Sequence, residues 1–176
     1  MGAGKSTVGR AMSERLGWIF EDLDDRIERR EGRKVAEIFR DSGETAFRRA
    51  EHTALREVLR EVPGEAGRII ALGGGAFIHK RNATLIESAG VPTVFLEADC
   101  EELWGRCLRQ AEREGIRRPL LVGRESFHEL YEARKWHYLR ATFLQKTGGL
   151  TIRQIAAEVI KSLGLDSISG RRGKQK

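Results

Sequence analysis

Gly2-Ala3-Gly4-Lys5-Ser6-Thr7, at the start of the 176-residue chain, is the stretch on which the fold turns. It reads as the second half of a phosphate-binding loop, G-x-x-x-x-G-K-[ST]. In such a loop glycines let backbone N–H groups turn inward around a polyphosphate. The lysine reaches the β- and γ-phosphates, and the serine hydroxyl holds Mg²⁺. Ser6 to Leu16 follow a helical pattern, so a helix N-terminus adds positive partial charge at the phosphates. The motif's first glycine falls before Met1, and the apolar strand that feeds such a loop falls there with it. That strand is ordinarily central in a parallel sheet and buried on both faces. Its lack would leave two unpaired sheet edges. The expectation is that Met1 is an internal methionine of a loop G-x-M-G-A-G-K-S, that the natural start lies upstream, and that the first, central strand is missing from this chain.

Outward from the loop, short apolar runs alternate with helical patterns. Helix one is expected from Lys5 to Leu16, stopped by Gly17. Trp18-Ile19-Phe20 reads as a strand, continued by Glu21-Asp22-Leu23-Asp24 off the sheet edge, where extended chain puts Asp22 and Asp24 on one side. Helical pieces run to Arg30 and from Lys34 to Arg40, broken by Gly32 and Gly43. A longer helix over Glu44–Arg60 carries Phe47, Ala50, Ala54, Leu55, Val58 and Leu59 at helical spacing. Arg68 to Leu72 is a buried strand delivered into Gly73-Gly74-Gly75. Then come a helix near Lys80–Ala89, a strand over Thr93–Leu96 and a helix near Glu101–Ala111. Gln110 to Arg124 is charged, punctuated by Gly115, Pro119 and Gly123, and reads as a mobile loop. A helix near Ser126–Arg140, a strand near Thr142–Lys146 and a helix over Thr151–Leu163 complete the pattern. Alternation of this kind implies an α/β fold, a parallel sheet covered on both sides.

Composition bounds the function. One domain is expected, and no run approaches the roughly 18 apolar residues of a membrane span. With no signal peptide visible, cytoplasm is the default. Cys100 and Cys107, seven apart in a helical pattern, read as two reduced thiols. About half of the formal charge of +6 lies in the tail after Gly164. The remaining basic residues are spread among acidic ones, which argues against a nucleic-acid face and suits small anionic substrates.

Several side chains carry chemistry, each with a plainer reading beside it. Asp22 and Asp24 could be solvated strand-end carboxylates. At the C-terminal end of a strand, where open α/β sheets bind ligands, they fit better as one carboxylate positioning Mg²⁺ and one contacting an acceptor hydroxyl. Three successive glycines are conformationally costly, which favours a close backbone approach to a ligand at Gly73, Gly74 and Gly75. Arg48 and Glu51, a turn apart, could be a surface ion pair. Arg134 falls within an apolar stripe of Phe127, Leu130, Tyr131 and Tyr138. Either it snorkels outward, or it meets a buried anion, and a guanidinium suits a carboxylate. Arg117 and Arg118 could be a solvated basic turn, or a loop arginine that closes over a nucleotide.

Together these segments resemble shikimate kinase, a small P-loop kinase of the nucleoside-monophosphate-kinase-like class. The likeness rests on G-A-G-K-S-T-V-G-R, F-E-D-L-D, G-E-T-A-F-R-R-A-E, I-A-L-G-G-G-A, R-R-P-L-L and Y-E-A-R in that order, reaching to about Leu163. The resemblance implies a three-layer P-loop NTPase fold over 1–164, with a lid loop near 110–124; the tail over 165–176, outside it, is expected from its basic composition to be disordered. The resemblance also implies ATP-dependent phosphorylation of the 3-hydroxyl of shikimate in aromatic amino-acid biosynthesis, by a monomer with no nucleic-acid or membrane partner. Gly2, Ala3, Gly4, Lys5, Ser6, Thr7 and Arg118 would bind ATP, and Ser6 and Asp22 would hold one Mg²⁺. Lys5, Asp24 and Arg118 would be catalytic. Asp24, Arg48, Gly73, Gly74, Gly75 and Arg134 would bind shikimate, with Glu51 holding Arg48. The adenine is expected near Arg106 and the loop Thr147–Gly149. Lys-Trp-His-Tyr after Arg134 departs from the family pattern, which usually has a proline there. A kinase for another small hydroxylated substrate, such as gluconate, and a non-catalytic binding module are the alternatives.

Overall fold

The computed structural model describes residues 2–61, 67–114 and 123–166. Among them lie seven helices and four strands, in the order α1 (Lys5–Leu16), β1 (Ile19–Asp22), α2 (Leu23–Glu31), α3 (Val35–Glu61), β2 (Arg68–Ala71), α4 (Lys80–Ser88), β3 (Val94–Glu97), α5 (Cys100–Glu114), α6 (Arg124–Tyr138), β4 (Phe143–Lys146) and α7 (Ile152–Ser162). The strands form two parallel pairs. β1 pairs with β2, Ile19 opposite Arg68 and Asp22 opposite Ala71. β3 pairs with β4, Val94 opposite Phe143 and Glu97 opposite Lys146.

Helices cover both faces, as the alternating pattern requires. On one side α1 and α7 lie across the two pairs. Val8, Met12 and Leu16 of α1 and Ile155, Ala156, Val159 and Ile160 of α7 form one buried cluster with Leu96 of β3, and Ile69 of β2 packs against it. On the other side Leu23 and Ile27 of α2, Phe47, Ala54, Leu55 and Val58 of α3 and Ile86 of α4 bury together with Ile70 and Leu72 packed on them. A third cluster, of Leu103, Cys107 and Phe127, joins α5 to α6. Burying a large aliphatic or aromatic side chain is worth about 1.5–3 kcal/mol, so these clusters hold the layers together.

Local sequence sets the element ends. Gly17 closes α1 in the left-handed conformation, φ 66°, which glycine adopts without strain. Gly43, at φ 75° and ψ 174°, interrupts α3 and separates two helical pieces, as its position in the sequence suggests. Thr151 and Gln154 close a reciprocal capping box at the start of α7. One expectation is corrected here. The chain does not stay extended to Asp24: β1 stops at Asp22, whose side chain caps α2 by accepting from the backbone N–H of Asp24 at 3.1 Å. The two carboxylates are brought together by that cap rather than by strand alternation, because aspartate is a strong helix-capping residue. The expected loop over 110–124 also shrinks, since α5 runs on to Glu114 and α6 begins at Arg124.

Candidate active site

The phosphate-loop residues lie at the head of α1. Gly2 (φ 67°) and Gly4 (φ 76°) take left-handed backbone, which places successive peptide N–H groups toward one side. A Cβ on Gly2 would lie 2.9 Å from both the Cys107 Sγ and the Leu103 carbonyl oxygen. The loop is therefore seated directly on α5, where only hydrogen fits. Gly4 offers α1 no side-chain cap, and the first intrahelical bond is Val8 N–H to the Gly4 carbonyl at 2.8 Å. The amides of the first turn thus point outward as an anion site. Ser6 Oγ donates to Asp22 Oδ2 at 2.6 Å, joining the loop to the end of β1.

The acceptor side is built around the triglycine stretch that follows β2. A Cβ on Gly73 would lie 2.9 Å from Asp24 Oδ1, and one on Gly75 would lie 2.6 Å from Arg48 Nη1. At Gly74 it would lie 3.6 Å from Arg134 Nη1 and 3.7 Å from the Tyr138 hydroxyl. Three side chains from three different helices thus converge on three consecutive residues, two of them so closely that a methyl group would collide. Arg134 does not snorkel away from its apolar stripe but turns to this backbone.

Electrostatics mark Asp24 out. Its carboxyl is raised from 3.8 to about 6, first by burial, then by the negative charges of Asp22 and Glu51, with Lys5 pulling the other way. Asp24 Oδ1 is buried with no hydrogen-bond partner. Such an orphaned acceptor is costly until a donor satisfies it, which sets Asp24 apart from the paired carboxylates around it.

Arg48 is held on two sides. Nη1 donates to both oxygens of Glu51 at 3.1 Å, and Nε and Nη2 donate to Glu44 Oε1 at 3.1 and 3.0 Å. Glu51 is only 1% exposed, so the surface ion pair considered from sequence is in fact a carboxylate sunk in the core beneath a half-buried guanidinium. Burial pushes the Glu51 carboxyl up, against the charge and hydrogen bonds of Arg48 and the hydrogen bond of Asn82.

Three contributors were not singled out from sequence. The Tyr138 hydroxyl donates to the Gly74 carbonyl oxygen, while its ring meets Phe95 of β3 at 5.3 Å. Spacing gave Tyr138 only as part of an apolar stripe. Asn82 and Glu44 reach the Arg48 assembly from α4 and from one turn earlier in α3. The Glu44–Arg48 spacing of four is a signal that could have been read. Arg117 and Arg118, and with them the expected lid contact to ATP, lie outside the described residues, as do residues 167–176 of the tail. Cys100 and Cys107 are free thiols on α5, and among the described residues no helix is long and apolar enough to cross a membrane.

Comparison with known proteins shows the family of the chain. The family profile described as shikimate kinase matches residues 1–164. A shikimate kinase of Cereibacter sphaeroides is 39% identical over 163 residues, which cover 93% of this chain and 78% of that protein. One of Streptomyces coelicolor is 39% identical over 170 residues, covering 94% and 92%. Among solved structures, a shikimate kinase from Acinetobacter baumannii in complex with shikimate superposes with a TM-score of 0.81 at 29% identity, covering 94% of this chain and 89% of that one.

Proposed function

The chain belongs to the shikimate kinase family, and on that premise we propose how its residues carry out the ATP-dependent phosphorylation of shikimate, yielding shikimate 3-phosphate. The observation that carries the assignment is the convergence of Asp24, Arg134 and Arg48 on Gly73, Gly74 and Gly75. It makes one small polar site next to the Ser6–Asp22 bond at the head of the phosphate loop.

The polyphosphate of ATP lies against the outward amides of Gly2 to Thr7, with the Lys5 ammonium neutralising the β- and γ-phosphates. Arg118 adds positive charge to the transferring group. The acceptor enters with its carboxylate toward the guanidinium groups of Arg48 and Arg134. Two forks of fixed geometry suit a carboxylate better than any neutral group. Its ring hydroxyls then fall toward the Gly73–Gly75 backbone and Asp24. The carboxylate of Asp24 accepts a hydrogen bond from the attacking hydroxyl and takes its proton as the new oxygen–phosphorus bond forms. The bond from phosphorus to the bridging oxygen of ADP breaks in the same displacement, and that oxygen carries its electron pair away. Because such a transition state is loose, positioning and charge stabilisation account for most of the acceleration.

The donor set fits Mg²⁺, since the Ser6 hydroxyl and the Asp22 carboxylate are hard oxygen ligands already 2.6 Å apart, and this ion takes one or two carboxylates with waters and phosphate oxygens. Bound there, the ion would supply positive charge that offsets the charge of the phosphates during transfer. Adenine is assigned to the space between Arg106 and the Thr147–Gly149 loop. Thr147 is fully buried and held to the Glu97 carbonyl by its N–H at 2.8 Å, and Glu102 holds Arg106 nearby.

The test is ADP release by purified protein given ATP and Mg²⁺ with a panel of shikimate, gluconate and nucleoside monophosphates. Turnover is expected with shikimate alone. Lys5→Ala is expected to lower kcat by roughly a hundredfold or more, as for loss of a charge aimed at the transition state. Arg134→Ala is expected mainly to raise the KM for shikimate, about tenfold or more for a lost charge-assisted contact. Turnover with gluconate instead, or an Arg134→Ala enzyme with unchanged KM, would overturn the substrate assignment.

A further inference from the structure

Asn82 sits in the first turn of α4, 2% exposed, among apolar neighbours. A buried side-chain amide must satisfy both its ends, and this one does so on two adjacent residues of α3. Its Nδ2 donates to Glu51 Oε2 at 3.3 Å, and its Oδ1 meets His52 Nδ1 at 2.8 Å. Glu51 presents only acceptor oxygens when ionised, so the NH₂ end of Asn82 must be the end that faces it. The carbonyl end then faces His52, which fixes the tautomer with the proton on Nδ1. His52 thereby prevents the amide from turning over, and the amide's one well-aimed donor goes to the same carboxylate that grips Arg48 through both oxygens.

We propose that Asn82 is a positioning residue for Arg48: locked by His52, it keeps the sunken carboxylate of Glu51 charged and aimed, and so sets the guanidinium against Gly75 where the acceptor's carboxylate is to be bound. The proposal rests on the reading of Arg48 as a substrate anchor. Its physical basis is a balance. Burial favours the neutral form of Glu51, whereas Arg48 and the Asn82 amide favour the charged form. The other charged groups facing this assembly are Glu44 on the far side of Arg48 and Asp24, which repel negative charge at Glu51, and His79, which is sensitive to the charge of Arg48. None of these donates a hydrogen bond to Glu51. Remove the amide and the carboxylate loses the one neutral donor it has among the described residues, so it takes up a proton at higher pH and releases its hold on Nη1.

Two variants test this, Asn82→Leu, which keeps the volume without the amide, and Asn82→Asp, which keeps the shape and replaces the donor by an acceptor. The first readout is initial-rate kinetics between pH 6 and 8.5. Both variants are expected to raise the KM for shikimate about fivefold at pH 7, increasingly so toward pH 6, with kcat and the KM for ATP within about twofold of the parent. In an Arg48→Ala background the same substitutions are expected to add nothing, because the residue they act through is gone. The second readout needs no substrate: the ¹³C titration of the Glu51 carboxyl, expected to move upward by a unit or more in both variants. An unmoved Glu51 titration overturns the proposal whatever the kinetics. So does a KM effect that persists undiminished in the Arg48→Ala background. If Arg48→Ala alone leaves the KM for shikimate unchanged while the Glu51 titration moves as expected, the anchor reading fails and the hold of Asn82 on Glu51 stands.

Discussion

The guanidinium of Arg48 occupies the space that a side chain at residue 75 would need, with Nη1 2.6 Å and Nη2 2.8 Å from a Cβ built on Gly75. Gly75 is not among the glycines with positive φ, so its backbone would accept alanine, and the obstacle is the guanidinium alone. The far end of an arginine can move aside cheaply. Gly75→Ala is therefore expected to leave the melting temperature within about 2–3 °C of the parent, as for a change costing under ~0.5 kcal/mol. The KM for shikimate is expected to rise on the order of tenfold, the value of one hydrogen bond to a charged group. Thermal melts and initial-rate kinetics on the same preparation separate the two effects. A large loss of stability would mean that the triglycine stretch serves the fold rather than the ligand.

Asp24 links the site to pH. Its folded-state carboxyl lies near 6, against 3.8 ordinarily, chiefly through burial. A raised value means the folded protein binds this proton more tightly than the unfolded chain does. The stability that the proton confers is complete below pH 3.8 and is lost as pH rises through about 6. Asparagine imitates the protonated acid. In metal-free buffer, Asp24→Asn is expected to match the parent near pH 4 and to exceed it at pH 7–8 by on the order of 2–3 kcal/mol. Urea unfolding across that range checks it, and a parent-minus-variant difference independent of pH would show that Asp24 is ionised in the fold at no cost.

A third outcome sets intrinsic preference against packing. Alanine for glycine inside a helix gains about 1 kcal/mol. At Gly9, in α1, the new Cβ would lie 2.6 Å from Cε2 and 3.0 Å from Cδ2 of Phe20, and 3.4 Å from Ile69. Overpacking of that kind costs about 1–3 kcal/mol. Gly9→Ala is therefore expected to destabilise by roughly 1 kcal/mol net, despite the better helix former. A denaturation midpoint above that of the parent would show that Phe20, under the Arg10 guanidinium at 4.5 Å, moves more freely than its contacts suggest.

Much of this was legible from the chain because the informative signals are local. Gly17, Gly32 and Gly43 mark the ends of helices through backbone conformation that glycine adopts most readily. The period of Phe47, Ala50, Ala54, Leu55 and Val58 gave the buried face of α3 directly. Pairing Asp22 with Asp24 succeeded for the wrong reason, since strand alternation and an aspartate cap both bring residues two apart together. Two of the missed contributors act across long separations in sequence, Asn82 reaching Glu51 from 31 residues away and the Tyr138 hydroxyl reaching Gly74 from 64, whereas Glu44 is only one turn from Arg48. A polar side chain on an otherwise apolar face shows that a partner is needed, but not which one. Glu51 illustrates the same limit, because nothing in its spacing from Arg48 tells a solvated pair from one sunk in the core.

The division of the strands into two parallel pairs has a mechanical consequence. Asp24, Arg48 and the glycine triplet belong to the β1–β2 half, whereas Arg134 and Tyr138 ride on the helix that leads into β4. An anion gripped by both guanidinium groups, as proposed, would act as a rivet between the halves, alongside the ties from Tyr138 to Gly74 and from Arg140 to Glu87. Occupancy of the proposed acceptor pocket would thus draw the two sides of the molecule together, adding a third polar link to a seam otherwise held by apolar packing, the Tyr138 hydroxyl and the Arg140–Glu87 pair.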